Sequence, residues 1–355
     1  MVPDILPVSG RPFRDRPVDL LRGIAIVLMV GANTIPYLLA PPAPFALRGL
    51  SSLAAPLFIL LSGMMVTLSC TRKRRPFSWF LLRGGLVILV AALLEALVWG
   101  IVPGTGMDVL FLIGLSLPLA FLFLQLPRPA RWGILAGIFC MTPVAEFIVG
   151  YPALPLQVPF PVFWETGIAG LIPAAAGDWI AGGWFPVFPW LGVALLGAEL
   201  GTVRWTRDGI RSFATRRTAA FGLLVLCLGG LLWALYPGQQ LVRYGYAELF
   251  YPPVPGFCLF AAGAILCMFV IADLLPPSRI PTPLTFMGEC SLAIYILHTV
   301  IIAWIIAPCG LLLPLPAFLL CVCIFLLGIY AFACLLHRLR GYAGGSFMFR
   351  FLCGG

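Results

Sequence analysis

Charge is what this sequence has least of. Asp, Glu, Lys and Arg make up 10% of its 355 residues, against 61% hydrophobic residues and a mean hydropathy of +1.06. A soluble domain carries about 25% charged residues, so a soluble globular protein is excluded. Histidine is scarcer still, with two in the chain, and the eleven cysteines include no Cys-x-x-Cys pair. Cys321 and Cys323 fall within one apolar helix and point to different faces. No metal site is therefore expected, and the cysteines read as small buried apolar residues. There is no Gly-rich phosphate loop, no Gly-x-Ser-x-Gly elbow and no heptad pattern, which removes those nucleotide-binding, hydrolase and coiled-coil classes. The first seventeen residues hold Arg11, Arg14 and Arg16 with several prolines but no apolar core ending in small residues. No cleavable signal peptide is expected, and the first helix should stay.

What is there is a succession of apolar runs, each near the roughly 20 residues that cross the hydrocarbon as a helix. They cover about 18–40, 50–70, 78–102, 108–126, 131–150, 185–203, 217–236, 255–275, 284–307 and 311–336. The fourth is short, and the tenth is broken early by Pro314 and Pro316. The expected fold class is all-α: a polytopic helical bundle of about ten transmembrane helices, since only helices and closed barrels satisfy the backbone in lipid. The expected organisation is an N-terminal tail at 1–17, a single membrane domain at 18–336 and a C-terminal tail at 337–355. The longest connection, 151–184, is rich in Pro, Gly and Trp and lacks Lys and Arg, which suggests a lid or re-entrant segment.

Basic residues set the orientation. With the N-terminus in the cytoplasm and each run crossing once, all of the 22 Lys and Arg residues except Arg48 and Arg243 fall on the cytoplasmic side. That satisfies the positive-inside rule and places both termini inside, as expected for the cell membrane. The net charge of +9 follows from this bias and suits anionic headgroups. The partners expected from composition and charge are membrane lipids, with self-association left open and no nucleic acid.

Polar groups at membrane depth are costly and mark functional sites or helix ends. In Asp19-Leu-Leu-Arg22, acid and base share a helix face, and Asn33 returns to nearly that face about three turns later. Asp19 and Arg22 form either a helix-end ion pair or a ligand contact; Asn33 is either helix glue or a ligand contact. In the ninth run, Ser291, Tyr295 and His298 repeat at four and three, placing hydroxyl, phenol and imidazole on one stripe. His298 is either a general base or a histidine bonded to a neighbouring helix. Glu95 and Glu199 each read as partners for an arginine. Trp79, Trp184, Trp190 and Tyr151 match interfacial anchors, and Arg72-Lys-Arg-Arg75 matches a stop-transfer flank.

Five segments carry a resemblance: Arg16-Pro-Val-Asp-Leu-Leu-Arg-Gly-Ile-Ala-Ile-Val-Leu-Met-Val, Pro56-Leu-Phe-Ile-Leu-Leu-Ser-Gly63, Phe185-Pro-Val-Phe-Pro-Trp-Leu-Gly-Val-Ala-Leu-Leu-Gly197, Tyr251-Pro-Pro, and Met287-Gly-Glu-Cys-Ser-Leu-Ala-Ile-Tyr-Ile-Leu-His298. In this order the chain resembles the heparan-α-glucosaminide N-acetyltransferase family of transmembrane acyltransferases. The resemblance implies transfer of an acyl group, typically acetyl from cytoplasmic acetyl-CoA, to a hydroxyl or amine of a small-molecule or glycan acceptor. Asp19, Arg22 and Gly23 match the opening motif, Asn33 the polar position closing the first helix, and His298 the late histidine. Acyl transfer needs a base and donors for the developing oxyanion; the candidates are His298 and Asn33 for catalysis, and Arg22, Asp19, Arg48 and Tyr295 for cosubstrate contacts. One departure stands out: the histidine that precedes the second span in sugar-acetylating members has no counterpart in Ala40-Pro-Pro-Ala-Pro-Phe-Ala-Leu-Arg-Gly-Leu50. The related Arg-x(10)-His pattern has Asn33 at its histidine position. The competing class is a small-molecule or lipid transporter or binding protein without catalysis; no internal repeat of the kind transporters often show is evident.

Overall fold

The computed structural model describes residues 15–206, 209–237, 248–343 and 346–353. Arg11, Arg14, Arg207 and Arg243, all used above to assign orientation, lie outside these residues. In chain order the helices are α1 (Arg16–Leu38), α2 (Phe45–Ser51), α3 (Ala54–Thr71), α4 (Phe77–Leu93), α5 (Val109–Gln125), α6 (Arg128–Val149), α7 (Phe160–Gly177), α8 (Val187–Arg204), α9 (Arg216–Leu235), α10 (Pro255–Leu274), α11 (Thr282–Glu289), α12 (Ser291–Ile301), the single turn α13 (Ala307–Cys309), α14 (Leu315–Ala343) and α15 (Phe347–Leu352). A hairpin of two-residue strands, Trp205–Thr206 and Gly209–Ile210, is the sole sheet among the described residues. Nine helical segments in this set are long and apolar enough to cross a membrane, and α5 is a shorter apolar tenth. The chain is an all-α polytopic integral membrane protein.

The helices form two compact units. In the unit built mainly from residues 59–212, glycines let backbones touch. A Cβ on Gly63 of α3 would overlap the carbonyl of Ala194 in α8, and one on Gly197 of α8 would overlap that of Leu60. Thr67 Oγ1 then donates to the Ala198 carbonyl at 2.6 Å. Gly84 of α4 and Gly114 of α5 face each other in the same way. Small residues of this kind permit close helix approach where lipid removes the usual hydrophobic drive. Around them pack Val66, Phe80, Leu117, Phe123, Leu135 and Leu195. Trp190 is 1% exposed and Trp184 9%, so both are core residues here rather than interfacial anchors. The 151–184 connection contains α7, which changes direction at Gly167 (φ 69°).

The other unit holds α1, α2, α9–α15 and the first residues of α3. α1 starts where Asp15 caps it, accepting from Val18 N at 3.4 Å, with Pro17 in its first turn. Its far end is tied to the chain ahead of α14: Ala40 N donates to Leu313 O, and Leu313 N to Leu38 O, both at 2.9 Å. Ile26, Met29, Val30, Met287, Cys290, Ile294, Ile329 and Ala333 make the core.

Two expected runs are divided. The second is preceded by the separate short helix α2. The ninth, read as one helix over 284–307, is broken at Cys290 (φ −102°, ψ 27°) into α11 and α12. The break lets α11 lie directly on α1: a Cβ on Gly23 would overlap Leu284's carbonyl, and one on Gly288 would overlap that of Asp19. α14 begins at Leu315, between the two prolines expected to interrupt it.

Candidate functional site

The apolar face of α1 must be covered on all sides, and its polar residues need partners from whatever covers it. α12 supplies them at two levels. Near the start of α1, Arg22 Nη2 donates to Ser291 Oγ at 2.8 Å, while Nη1 lies 4.0 Å from Asp19 Oδ1. Further along, Asn33 Nδ2 and His298 Nε2 are 2.9 Å apart. His298 is completely buried. The two contacts are separated by about 16 Å of rise on α1 but about 10 Å on α12, at ~1.5 Å per residue. The length of the arginine side chain makes up the difference.

The hydrogen bonds of His298 settle which nitrogen carries the proton. Nδ1 faces the carbonyl of Ile294 at 3.2 Å, an acceptor only, so it must be the N–H. Nε2 then holds the lone pair and accepts from the Asn33 amide. Tyr295 packs its ring edge against the imidazole, with centroids 5.0 Å apart and planes at 73°. Directly after α12 the helix widens into a π-turn at Ile302–Ile306, a local form frequent beside functional sites.

Both contacts are made in the same order along the two helices, so α1 and α12 run parallel. Parity along the chain then requires an odd number of crossings between them. This is met when α3, α4, α5, α6, α8, α9 and α10 each cross and 151–184 does not. With 151–184 left out of the crossings, the count includes the short α5.

Of the sequence-derived candidates, the structure gathers Asp19, Arg22, Asn33, Tyr295 and His298 along one seam. Arg48 lies apart from Arg22. It sits on α2, beyond the far end of α1, in the field of Glu248. Glu199 pairs with an arginine as read, its Oε2 lying 2.6 Å from Arg131 Nη1. Glu95 instead accepts from the backbone N–H of Gly104 at 2.6 Å, fixing a loop. Both acids serve the fold. Two residues escaped the sequence reading: Ser291 as the partner of Arg22, and Glu248, a lone acid three residues ahead of Tyr251-Pro-Pro.

The family model described as heparan-alpha-glucosaminide N-acetyltransferase, catalytic, matches residues 14–236. The chain belongs to this family. A comparison with curated proteins gives no match. The matched segment contains Asp19, Arg22, Asn33 and Arg48 and runs from α1 through α9. His298 lies beyond it, and its link to the acetyltransferase segment is the hydrogen bond to Asn33. The family membership also gives the glycine motifs a physical meaning. Gly63 and Gly197, from the second and third resembling segments, pack on one another's helices, as do Gly23 and Gly288 from the first and fifth.

Proposed function

We propose that this protein is a cell-membrane acyltransferase that moves an acyl group, acetyl in the first instance, from cytoplasmic acyl-CoA to a sugar, lipid or other hydroxyl or amine acceptor. The observation that carries this reading is the buried Asn33–His298 pair in a chain of the acetyltransferase family. The reaction breaks the thioester C–S bond, forms a C–O or C–N bond, and moves one proton from acceptor to departing thiolate. His298 Nε2 is the one lone pair of that imidazole and serves as the base. At rest Asn33 occupies it, so the acceptor X–H must replace the amide as donor to Nε2. The displaced Asn33 N–H is then free to turn toward the acyl oxygen, where negative charge develops. Arg22, held by Asp19 and Ser291, and Tyr295 stand on the same seam as contacts for the cosubstrate. Arg22 lies nearer the cytoplasmic end, where the CoA phosphates would be. No metal is assigned a part.

Calorimetry of purified protein with acetyl-CoA tests the donor, and product analysis with candidate acceptors tests transfer. Saturable acetyl-CoA binding with acetylated product is the expected result. Absence of any acetyl-CoA binding defeats the reading. A transporter or binding protein would bind its ligand independently of acyl-CoA and yield no acetylated product.

A further inference from the structure

Two free cysteines, distant in sequence, meet at the break that divides α11 from α12. Cys290 is the residue at that break, and Cys353 directly follows α15. Cys290 is 4% exposed and Cys353 5%. Both belong to the core made with Ile26, Met287, Ile294 and Ile329, and Phe349 and Leu352 hold α15 against it. The Cys290 thiol donates a hydrogen bond to the Cys353 sulfur. Packing alone asks only for a small apolar side chain at either place, and not for two thiols in contact.

The pair also has a polar edge. Glu289, beside the break, holds Arg340 of α14 at 2.9 Å, and the Arg340 side chain is 47% exposed. Water therefore reaches within a side chain of the two sulfurs. The hydrogen bond from Cys290, helped by the charge of Arg340, holds the Cys353 thiol below its usual range against burial and Glu289. Cys353 is thus the sulfur that reacts first, since the thiolate is the nucleophile. In the orientation read from the basic residues, this end of α12 faces the cytoplasm. Thiols are kept reduced there, and a disulfide is a transient, redox-sensing state.

We propose that Cys290 and Cys353 form a reversible redox clasp: a hydroperoxide converts the two thiols to a disulfide that ties α15 to the α11–α12 break. With hydrogen peroxide, the Cys353 sulfur forms an S–O bond as the O–O bond breaks, and the departing hydroxide takes the thiol proton to become water. The Cys290 sulfur then attacks the Cys353 sulfur. An S–S bond forms, the S–O bond breaks, and hydroxide leaves with the Cys290 proton as a second water. Both sulfurs are oxidised and the peroxide is reduced; a thiol reductant reverses the step by exchange. Ser291, the residue after Cys290, accepts from Arg22, so the clasp fixes the Arg22 end of the seam. It does not rest on the acyl-transfer reading.

The test treats the reduced full-length protein in detergent with hydrogen peroxide, blocks remaining thiols with N-ethylmaleimide, and maps tryptic peptides with and without dithiothreitol. Trypsin cuts after Arg279, Arg338 and Arg350, so the expected product is fragment 280–338 joined through Cys290 to Cys353 in 351–355. Dithiothreitol should release it. The cross-link closes a long loop and should raise the thermal midpoint by several degrees, a rise lost in Cys290→Ser and in Cys353→Ser. Maleimide on both sulfurs after peroxide has oxidised the exposed Cys309 and Cys323 overturns the proposal. So does Cys353 joined to any other cysteine, or a Cys290–Cys353 bond that leaves the midpoint unchanged. If Cys290→Ser does not fold, Cys353→Ser decides, and a peroxide-induced rise that persists there overturns the clasp.

Discussion

The α3–α8 seam and the α1–α11–α12 seam are closed by the same device and hold different contents. In each, a glycine on either helix removes the Cβ that would strike the opposing backbone. In the first seam the polar bonds run from side chain to backbone, as from Thr67 to Ala198, and α8's acid is neutralised by Arg131. In the second, side chains from distant parts of the chain bond each other, Arg22 to Ser291 and Asn33 to His298. Bonds to backbone fix helices in place. A hydrogen bond between side chains is exchanged for a bond to a ligand more readily than a buried ion pair such as Arg131–Glu199 is opened, and that difference, more than burial, separates a scaffold from a candidate site.

The sharpest way to break the comparison is to remove one partner from the scaffold ion pair. Arg131 and Glu199 side chains are 9% and 5% exposed. Arg131→Met leaves the buried acid with only the exposed Arg128, whose Nε lies 4.0 Å from Glu199 Oε1, and should cost about 3 kcal/mol, seen as a large fall in thermal midpoint. Arg131→Met with Glu199→Leu should recover most of that loss. Failure of the double variant to recover would mean the pair does more than neutralise charge.

On the other seam the large effect should fall on turnover. His298→Ala should lower kcat by roughly a hundredfold, equivalent to ~2.7 kcal/mol, while acetyl-CoA affinity stays nearly unchanged. A fall in thermal midpoint as large as that of Arg131→Met, with activity per folded molecule retained, would place His298 with the scaffold. Gly23→Ala and Gly63→Ala should each cost about 1–3 kcal/mol, because the added methyl meets a backbone carbonyl that cannot rotate away. Equal losses at both would confirm a shared packing device; a much smaller loss at Gly23 would show that α11 yields more easily than α8.

The smallest effect is a pH trend. Burial pushes the Glu248 carboxyl from 4.5 up to about 7, against the opposing pull of Arg48. Between those values the folded protein keeps a proton that the unfolded chain has lost. Stability should therefore fall as pH rises from about 4.5 to about 7 and level off above it. Glu248→Gln should flatten that slope in thermal-midpoint measurements.

Much of the architecture was legible because length and hydropathy alone define a helix in lipid. The short fourth run became the seventeen-residue α5, and the prolines at 314 and 316 did set the start of α14. The break at Cys290 was not legible. It carries no proline, and it exists because α11 must reach Gly23 while α12 reaches Asn33. The 291, 295, 298 stripe was visible from periodicity, but its orientation toward α1 was not, since periodicity names a face without naming a neighbour. Glu248 was invisible for the same reason: its place is set through the adjacent Leu249, bonded to Ser52, 197 positions away.

The Asn33–His298 bond also imposes an order in time. Its partners are 265 residues apart. At about 5–20 residues per second, the first helix waits roughly 13–53 s after its own synthesis before the imidazole emerges. Throughout that interval the amide must be sheltered by water, by lipid headgroups or by an insertion factor. Nascent chains released before α12 would carry the whole matched acetyltransferase segment and lack the finished site.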